Sequence, residues 1–256
     1  MKARYLLVGL VLVTAMLTYI GVGYREKRRR ALLTVQLEKA LDDKDEARAI
    51  HLLRLGADAN GKEGDGTPFI FGANGTSLLK AFIAAGANVN VEYSPAKGKR
   101  LTLLARERTW DWPESNDSDQ LEEMKCLLEA GADPNRGTVS VLANSAGGCG
   151  EACWCNPREI ALLLQHGAKL RQGDAAAILE AALDGDDTDE DNGPHLLRLW
   201  ATLPVPVQER RALLRNAIKR FAGGSYTVES DEKYRLQTLA FLRHELRKMQ
   251  TGSQHR

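Results

Sequence analysis

Three cysteines within seven residues form the densest group of reactive side chains in this 256-residue chain. Cys149, Cys153 and Cys155 occur in the segment GGCGEACWCNP. Thiolates this close can bind zinc, with His166 or Cys126 as a fourth ligand. In an oxidising compartment, Cys149 can instead form a disulfide with Cys153 or Cys155. The spacing lacks the paired CxxC motifs of common zinc sites, so reduced cysteines in a small-residue loop are a third interpretation, and the sequence leaves all three open.

An acidic run, DGDDTDED (184–191), superficially resembles a calcium-binding loop. An EF-hand loop has glycine at its sixth position and glutamate at its twelfth. Counted from Asp187, these positions hold Asn192 and Arg198, and a register that starts at Asp184 also lacks the glutamate. We therefore interpret this run as a solvated acidic loop and expect no cofactor.

Several aromatic and basic side chains occur in polar segments, where they could contact a partner. Two tryptophans lie in the insertion TWDWPESNDSD, and a tyrosine and an arginine flank the basic segment of VEYSPAKGKR. Aromatic residues and arginine are enriched at binding hot spots. The candidate partner-binding residues are Tyr93, Arg100, Trp110, Trp112 and Trp154. An alternative for Trp110 and Trp112 is that they pack back over neighbouring helices.

No motif indicates catalysis. The chain contains no GxSxG, Walker or HExxH sequence, and its five histidines, at positions 51, 166, 195, 244 and 255, belong to no catalytic pattern. We therefore expect a binding protein, not an enzyme, with no small-molecule substrate.

The charge distribution narrows the class of partner. Residues 31–256 contain 28 Lys/Arg and 33 Asp/Glu, whereas the first 30 residues contain seven and one. An acidic body without a basic stripe argues against nucleic acid as the main ligand. A basic or mixed protein surface is the expected partner.

A repeated sequence motif, called a phrase below, marks the helices that must position these residues. Four apolar, helix-like runs end in similar motifs: LLRLGADAN (52–60), FIAAGANVN (82–90), LLEAGADPN (127–135) and LLLQHGAKL (162–170). A glycine after such a run is typical of a left-handed helix C-cap, and the Asp or Asn that follows can bond its own turn. The phrases predict helix, tight turn and protruding finger, repeated at the spacing of one supersecondary unit.

This pattern resembles the ankyrin repeat, whose units start with Thr-Pro-Leu-His and end with Gly-Ala-Asp-x-Asn. The matching structural positions include Gly56, Asp58, Thr67, Pro68, Gly86, Gly131, Asp133 and Gly167. No unit has the full Thr-Pro-Leu-His start, the third contains a long insertion, and the fourth lacks Asp and Asn at its end. The resemblance implies an all-α fold: an α-solenoid of about four to five degenerate helix pairs.

The resemblance also implies a binding face. Hairpin-like fingers and the first helix of each unit would line a concave surface that takes up a partner protein, whose identity the sequence does not reveal. We expect the fingers near 58–66, 88–100 and 133–139, together with the two insertions at 109–119 and 147–157, to make the contacts. With Thr67 as N-cap and Pro68 as first helical residue, a helix is expected to start there.

The amino terminus predicts a membrane anchor. Residues 5–24 are an uncharged stretch of 20, long enough as a helix to span a bilayer, and basic residues follow at 25–30. A cleaved signal peptide would be shorter and would lack that basic cluster. The charge bias places the following domain in the cytoplasm, with the periplasmic or extracellular side as the alternative.

The resulting organisation has four parts: a transmembrane helix (5–24), a basic juxtamembrane segment (25–30), an ankyrin-like repeat domain (31–203) and carboxyl-terminal capping helices (204–250). The predicted function is a membrane-anchored protein-binding module that acts as a scaffold, regulator or inhibitor. Two alternatives remain: a thiol- or metal-dependent sensor that uses the cysteine loop, and an immunity-type neutraliser of a toxic enzyme.

Overall fold

The computed structural model of the chain describes residues 2–94, 98–106, 117–147, 156–183, 192–223 and 229–251. In this part of the chain, regular structure is helical, and strand pairing is limited to isolated bridges such as the antiparallel one between Lys62 and Pro68. The prediction of an all-α fold is confirmed for these residues.

The chain divides into two compact units, Met1–Tyr93 and Ser94–Arg256. The first contains α1 (Lys2–Asp42), α2 (Glu46–Arg54), a 3₁₀ turn (Phe69–Gly72) and α3 (Thr76–Ala84). The second contains a 3₁₀ turn (Leu103–Ala105), α4 (Asp117–Glu129), α5 (Val141–Gly147), α6 (Pro157–Gln165), α7 (Asp174–Leu183), α8 (Asn192–Thr202), α9 (Val207–Gly223) and α10 (Glu229–Thr251).

The core of the first unit lies between the last turns of α1 and the elements that follow. Helix α1 contacts α2 and the 3₁₀ turn, and α2 contacts α3. Leu37 of α1, Phe69 of the 3₁₀ turn and Phe82 of α3 are almost completely buried. The N-cap of α2 is Asp45, whose carboxylate accepts a hydrogen bond from the Arg48 amide (3.0 Å).

The second unit is built from helix pairs that contact their neighbours in sequence. The pairs α5–α6, α7–α8 and α9–α10 each pack together. The first members also contact one another, α5 with α7 and α7 with α9, and the second members α6 and α8 contact each other. Helix α4, which packs on the 3₁₀ turn Leu103–Ala105, contacts α6. Such nearest-neighbour packing is the contact pattern of a stacked-repeat domain. The shared core includes the buried side chains of Leu142, Ile160, Leu163, Ile178 and Trp200.

All four repeated phrases end their helices in the same way. Gly56, Gly86, Gly131 and Gly167 have φ angles between 83° and 95°, the left-handed conformation that the phrases predict. In the first phrase, the Gly56 amide donates to the Leu53 carbonyl and the Ala57 amide donates to the Leu52 carbonyl. The other three phrases repeat this pair of bonds at 2.9–3.0 Å, which is the Schellman motif.

The predicted membrane anchor at 5–24 is wrong. Helix α1 does not end near residue 24 but runs unbroken to Asp42, through the basic cluster at 25–30 and into the turns that pack against α2. Within the described part of the chain, no helix has a stretch both apolar and long enough to traverse a bilayer. The single-pass topology, the juxtamembrane role of 25–30 and the inferred side of the membrane are withdrawn with it.

The predicted helix start at Thr67 and Pro68 also differs from the structure. Pro68 is extended (φ −62°, ψ 135°) and precedes the 3₁₀ turn, so it is the cap residue and not the first helical residue. Thr67 lies one position earlier, where its amide donates to the Asp65 carboxylate (2.8 Å). The residues after Pro68 form a single 3₁₀ turn, because the amides of Phe71 and Ala73 donate hydrogen bonds to the carbonyl oxygens three residues earlier.

Candidate protein-binding surface

We call each Gly-Ala pair that ends a phrase a corner. Each of the first three corners, at Gly56, Gly86 and Gly131, is followed by a turn that the side chain of the next residue after the alanine closes. The first turn is an Asx turn, in which the Asp58 carboxylate accepts a hydrogen bond from the Asn60 amide (3.0 Å). Asn88 and Asp133 make the same bond to the amides of Asn90 and Asn135, at 3.0 and 2.8 Å. The acidic or amide residue after each Gly-Ala corner therefore shapes the base of the finger.

The asparagine that ends a phrase binds the backbone of the next phrase in the same unit. In the first unit, Asn60 Nδ2 donates to the Gly86 carbonyl (3.0 Å), and its Oδ1 accepts from the Asn88 amide (2.8 Å). In the second unit, Asn135 makes the equivalent pair of bonds to the Gly167 carbonyl (2.9 Å) and the Lys169 amide (2.8 Å). One amide side chain thus fixes the position of the following corner through both of its polar atoms.

The first phrase has no preceding repeat, so no asparagine of an earlier phrase can bind its corner. Helix α1 binds this corner instead. The Thr34 hydroxyl accepts a hydrogen bond from the Asp58 amide (3.0 Å) while it donates to the Arg30 carbonyl of its own helix (2.8 Å). Asp58 stands two residues after Gly56, as Asn88 stands two residues after Gly86. Helix α1 therefore supplies one of the two bonds that Asn60 supplies to the next corner.

The first finger is a tight hairpin that closes above Phe69. The Phe69 amide donates to the Gly61 carbonyl (3.0 Å), the Glu63 amide donates to the Thr67 carbonyl (2.8 Å), and a turn joins Glu63 to Gly66. A Cβ on Gly61 would lie 2.7 Å from Cδ2 of the Phe69 ring, so the close approach of backbone to ring requires glycine there. The finger is thereby held against the buried 3₁₀ turn.

Four carboxylates give this finger a negative potential. Partial burial raises the pKa of Glu63, and the nearby charges of Asp65, Asp42 and Glu38 raise it further. Hydrogen bonds from Thr67 lower the pKa of Asp65, so that carboxylate stays ionised. A cation placed beside Glu63 would relieve this repulsion, which favours a positively charged partner group at this finger.

An aromatic pair lies in the first unit. The rings of Phe71 and Tyr93 are 5.7 Å apart between centroids and inclined by 60°, a tilted arrangement favoured by aromatic quadrupoles. Both side chains are half-buried, so part of each ring faces solvent. The sequence predicts that Tyr93 contacts a partner. The structure packs it against the Phe71 ring, and this contact limits the rotamer freedom of Tyr93.

In the second unit, the segment around Arg100 is bonded to the finger that follows the third corner. The Arg100 amide donates to the Thr138 hydroxyl (2.7 Å), and the Thr138 amide donates to the Arg100 carbonyl (3.0 Å). A Cβ on Gly137, whose φ is 75°, would lie 2.8 Å from that carbonyl oxygen. The Arg100 side chain is exposed beside this joint.

Arg171 braces the same finger from the fourth phrase. Its guanidinium donates to the carbonyl oxygens of Asn135 (2.6 Å), Gly137 (3.2 Å) and Arg136 (3.3 Å). Its own amide donates to the carboxylate of the buried Asp174 (2.8 Å). The finger is held from three directions, by Arg100, by Arg171 and by its own Asx turn.

The remaining predicted binding residues and the cysteine cluster lie outside the described part of the chain. These are Trp110, Trp112, Trp154, Cys149, Cys153 and Cys155, and the acidic run at 184–191 lies there too. The candidate fourth ligands are described: Cys126 is a buried thiol in α4 that donates to the Glu122 carboxylate (3.9 Å), and His166 is exposed at the end of α6. Within the described residues, no three His, Cys, Asp or Glu side chains form a group that could hold a metal.

Sequence reasoning missed Thr34, Thr138 and Arg171. The signal for Arg171 was present, because it stands four residues after Gly167, where the other three phrases have asparagine after their glycines. A position that breaks a repeat is a reason to examine the new residue. Thr34 and Thr138 act through contacts between segments 24 and 38 residues apart, for which the repeat pattern gives no register.

No protein-family model matches the chain, and no curated protein shows significant similarity to it.

Proposed function

We propose that this chain is an ankyrin-like repeat protein whose fingers bind a partner protein. The observation that carries the proposal is the bonding of the fingers within each unit. Side chains of the preceding repeat, and in one case of the following repeat, fix finger backbones through several hydrogen bonds. A finger held in place before the partner arrives loses little conformational entropy on binding, which favours affinity.

The side chains on these fingers suit a protein partner. The first unit presents the Phe71–Tyr93 pair and a group of carboxylates around Glu63. The fingers of the second unit expose Lys99, Arg100 and Arg136. Aromatic anchors and arginines beside charges of fixed sign are the features that give protein interfaces their energy and specificity.

Site-specific photocrosslinking tests the proposal even though the partner is unidentified. A benzophenone side chain is placed at Tyr93 or Arg136 in the full chain, with control positions at His51 on α2 and Arg158 on α6, both exposed and outside the fingers. We expect each finger position to capture a protein that the control position in its own unit, His51 for Tyr93 and Arg158 for Arg136, does not capture. Identical capture from all four positions, or none from the finger positions, would refute a finger-mediated interface.

The captured partner then allows a quantitative test at Tyr93. Tyr93→Ala should weaken its binding at least tenfold, about 1.4 kcal/mol, because a preoriented aromatic anchor is lost. The matched control is Tyr24→Ala on α1, where the tyrosine is exposed and lies outside the fingers. Isothermal calorimetry measures both affinities. An unchanged affinity for Tyr93→Ala would remove this residue from the interface.

The sensor and neutraliser functions remain predictions from the sequence. The sensor depends on Cys149, Cys153 and Cys155, so thiol counting and zinc analysis of the native protein decide it. The neutraliser is a special case of the proposed function, in which the captured partner is an enzyme that the chain inhibits.

A further inference from the structure

We infer that the solvent-facing side of α9 and α10 is a second docking surface, which binds an acidic patch on a protein. The inference goes beyond the fingers and does not depend on them. Residues 207–256 contain eleven Lys/Arg and five Asp/Glu, whereas residues 31–206 contain 17 and 28. The carboxyl-terminal pair is therefore basic next to an acidic repeat region.

The structure places the basic residues on the outer side of the pair. Leu214 and Ala217 of α9 and Leu239 and Leu242 of α10 are buried. Exposed positions of the same helices hold Arg215, Lys219 and Arg220 on α9, and Arg243, Arg247 and Lys248 on α10. Residues four apart, such as Arg215 and Lys219, are about 6 Å apart along one helix face.

Arg215 and Lys219 form a basic row on α9, and Arg243 and Arg247 form a second row on α10, at the same level of the hairpin. At one end of the pair, Arg211 donates to the Met249 carbonyl (2.7 Å), and at the other end Arg235 donates to the Ala222 carbonyl (3.3 Å). The helices are therefore antiparallel, and equal steps from the Arg211–Met249 contact bring Arg215 level with the turn that contains Arg243. The two rows therefore overlap along the length of the pair.

Half of these six basic side chains have no counter-charge among the described residues. Arg215, Lys219 and Arg243 make no side-chain hydrogen bond or ion pair with any other described residue. Among the side chains that the structure describes in the pair, the acids are Glu209 and Glu245, and Glu245 is paired with Lys248 (2.8 Å). Uncompensated positive charge on a rigid surface attracts an acidic partner and accelerates its association.

Two observations favour a protein over nucleic acid as the occupant. First, the same stripe of α10 that carries Arg243 and Arg247 begins with Leu236, which is 58% exposed and offers an apolar contact that phosphates cannot use. Second, a nucleic acid extends far beyond a patch of about 25–35 Å, the length of these helices. It would then meet the rest of the second unit, where residues 94–206 contain 11 Lys/Arg and 19 Asp/Glu. A local acidic patch with an apolar side chain fits both observations.

Fluorescence anisotropy with three labelled probes tests the inference on the full chain. The probes are an octaglutamate peptide, a peptide of four Glu-Glu-Leu repeats, and a 16-base-pair DNA duplex. We expect both peptides to bind with an affinity that falls with salt, and the leucine-containing peptide to bind more tightly. DNA binding as tight as that of either peptide would overturn the assignment to a protein, and failure of both peptides to bind would overturn the surface itself.

A pair of charge variants locates the binding. Arg215→Glu/Arg243→Glu should weaken peptide binding at least tenfold. Arg158→Glu/Lys125→Glu changes the net charge by the same amount, at exposed residues of α6 and α4. This control should leave the affinity for the peptides within twofold of its original value. Leu236→Ala should abolish the preference for the leucine-containing peptide. Equal effects of the two charge variants would show a non-specific response to net charge and contradict the inference.

The outcome is separable from that of the proposed function. Tyr93→Ala should leave peptide-probe binding unchanged, and Arg215→Glu/Arg243→Glu should leave photocrosslinking from position 93 unchanged. Circular dichroism and thermal unfolding confirm that each variant is folded, which we expect because all the substituted side chains on α9 and α10 are exposed.

Discussion

At the scale of single residues, a few polar side chains determine where the fingers lie. Asn60 and Asn135 each use both amide atoms to hold the next corner of their unit, and Arg171 donates three hydrogen bonds to one finger. These bonds join segments that are far apart in sequence. Their loss should therefore change finger position more than helix content.

Asn135→Ala should lower the free energy of unfolding by about 1–2 kcal/mol, since two hydrogen bonds are lost at a partly exposed site. Thermal or urea unfolding measures the change. The matched control is Asn216→Ala on α9, an exposed asparagine without a side-chain partner in the described residues, which should leave stability unchanged or slightly raised. Equal effects of the two variants would show that the Asn135 bonds contribute nothing.

Glu63 gives a prediction for pH. Because burial and neighbouring carboxylates raise its pKa in the folded state, the ionised form is disfavoured there. The associated stability is present in full below the unfolded pKa and is lost as pH rises through the folded pKa. Glu63→Gln should therefore raise the melting temperature at pH 7 and lose this advantage near pH 4. Glu209→Gln, on α9, is the control, and an advantage that persists at low pH would contradict the electrostatic cause.

At the scale of helices and turns, close packing decides which residues a position accepts. Tyr234 of α10 donates its hydroxyl to the carbonyl of Ala182 in α7 (2.7 Å), and the phenol lies against Gly193 in the first turn of α8. A Cβ on Gly193 would overlap the Tyr234 hydroxyl and lie 3.3 Å from the Ala182 oxygen. This contact ties the carboxyl-terminal pair to the last helix pair before it.

Gly193→Ala should lower the free energy of unfolding by about 1–3 kcal/mol, because the added methyl group displaces the Tyr234 ring. In a Tyr234→Ala background most of this cost should vanish, so the double-mutant cycle should show a coupling of at least about 0.5 kcal/mol. Gly64→Ala is a control, since a Cβ there meets no atom within 4 Å. Additive effects of the two substitutions would mean that the contact does not form.

Helix existence and helix ends were predictable from local chemistry, but contacts between elements were not. The Gly-Ala corners identified four helix ends because a left-handed C-cap depends only on neighbouring residues. The Thr67-Pro68 motif misled because the buried Phe69 and the finger hairpin restrict the residues after it to one 3₁₀ turn. The contact of Arg171 with residues 135–137 depends on tertiary register, which no local motif specifies.

At the scale of the whole molecule, composition was informative about the class of partner and misleading about membrane topology. The apolar run at 5–24 suggests a separate segment, whereas α1 continues through charged residues to Asp42 and contributes Leu37 to a core. The net charge of residues 31–256 also conceals a division between an acidic repeat region and a basic carboxyl-terminal pair. Charge counted by element is the more useful guide to partners.

The central claim is that the fingers are fixed before any partner binds. Amide hydrogen exchange of the free protein tests it most directly, at the Asn88 and Lys169 amides that donate to Asn60 and Asn135. We expect both amides to exchange slowly, and Asn60→Ala and Asn135→Ala to abolish the protection of Asn88 and Lys169 respectively. Exchange of both amides at the rate of an unstructured chain would contradict the claim.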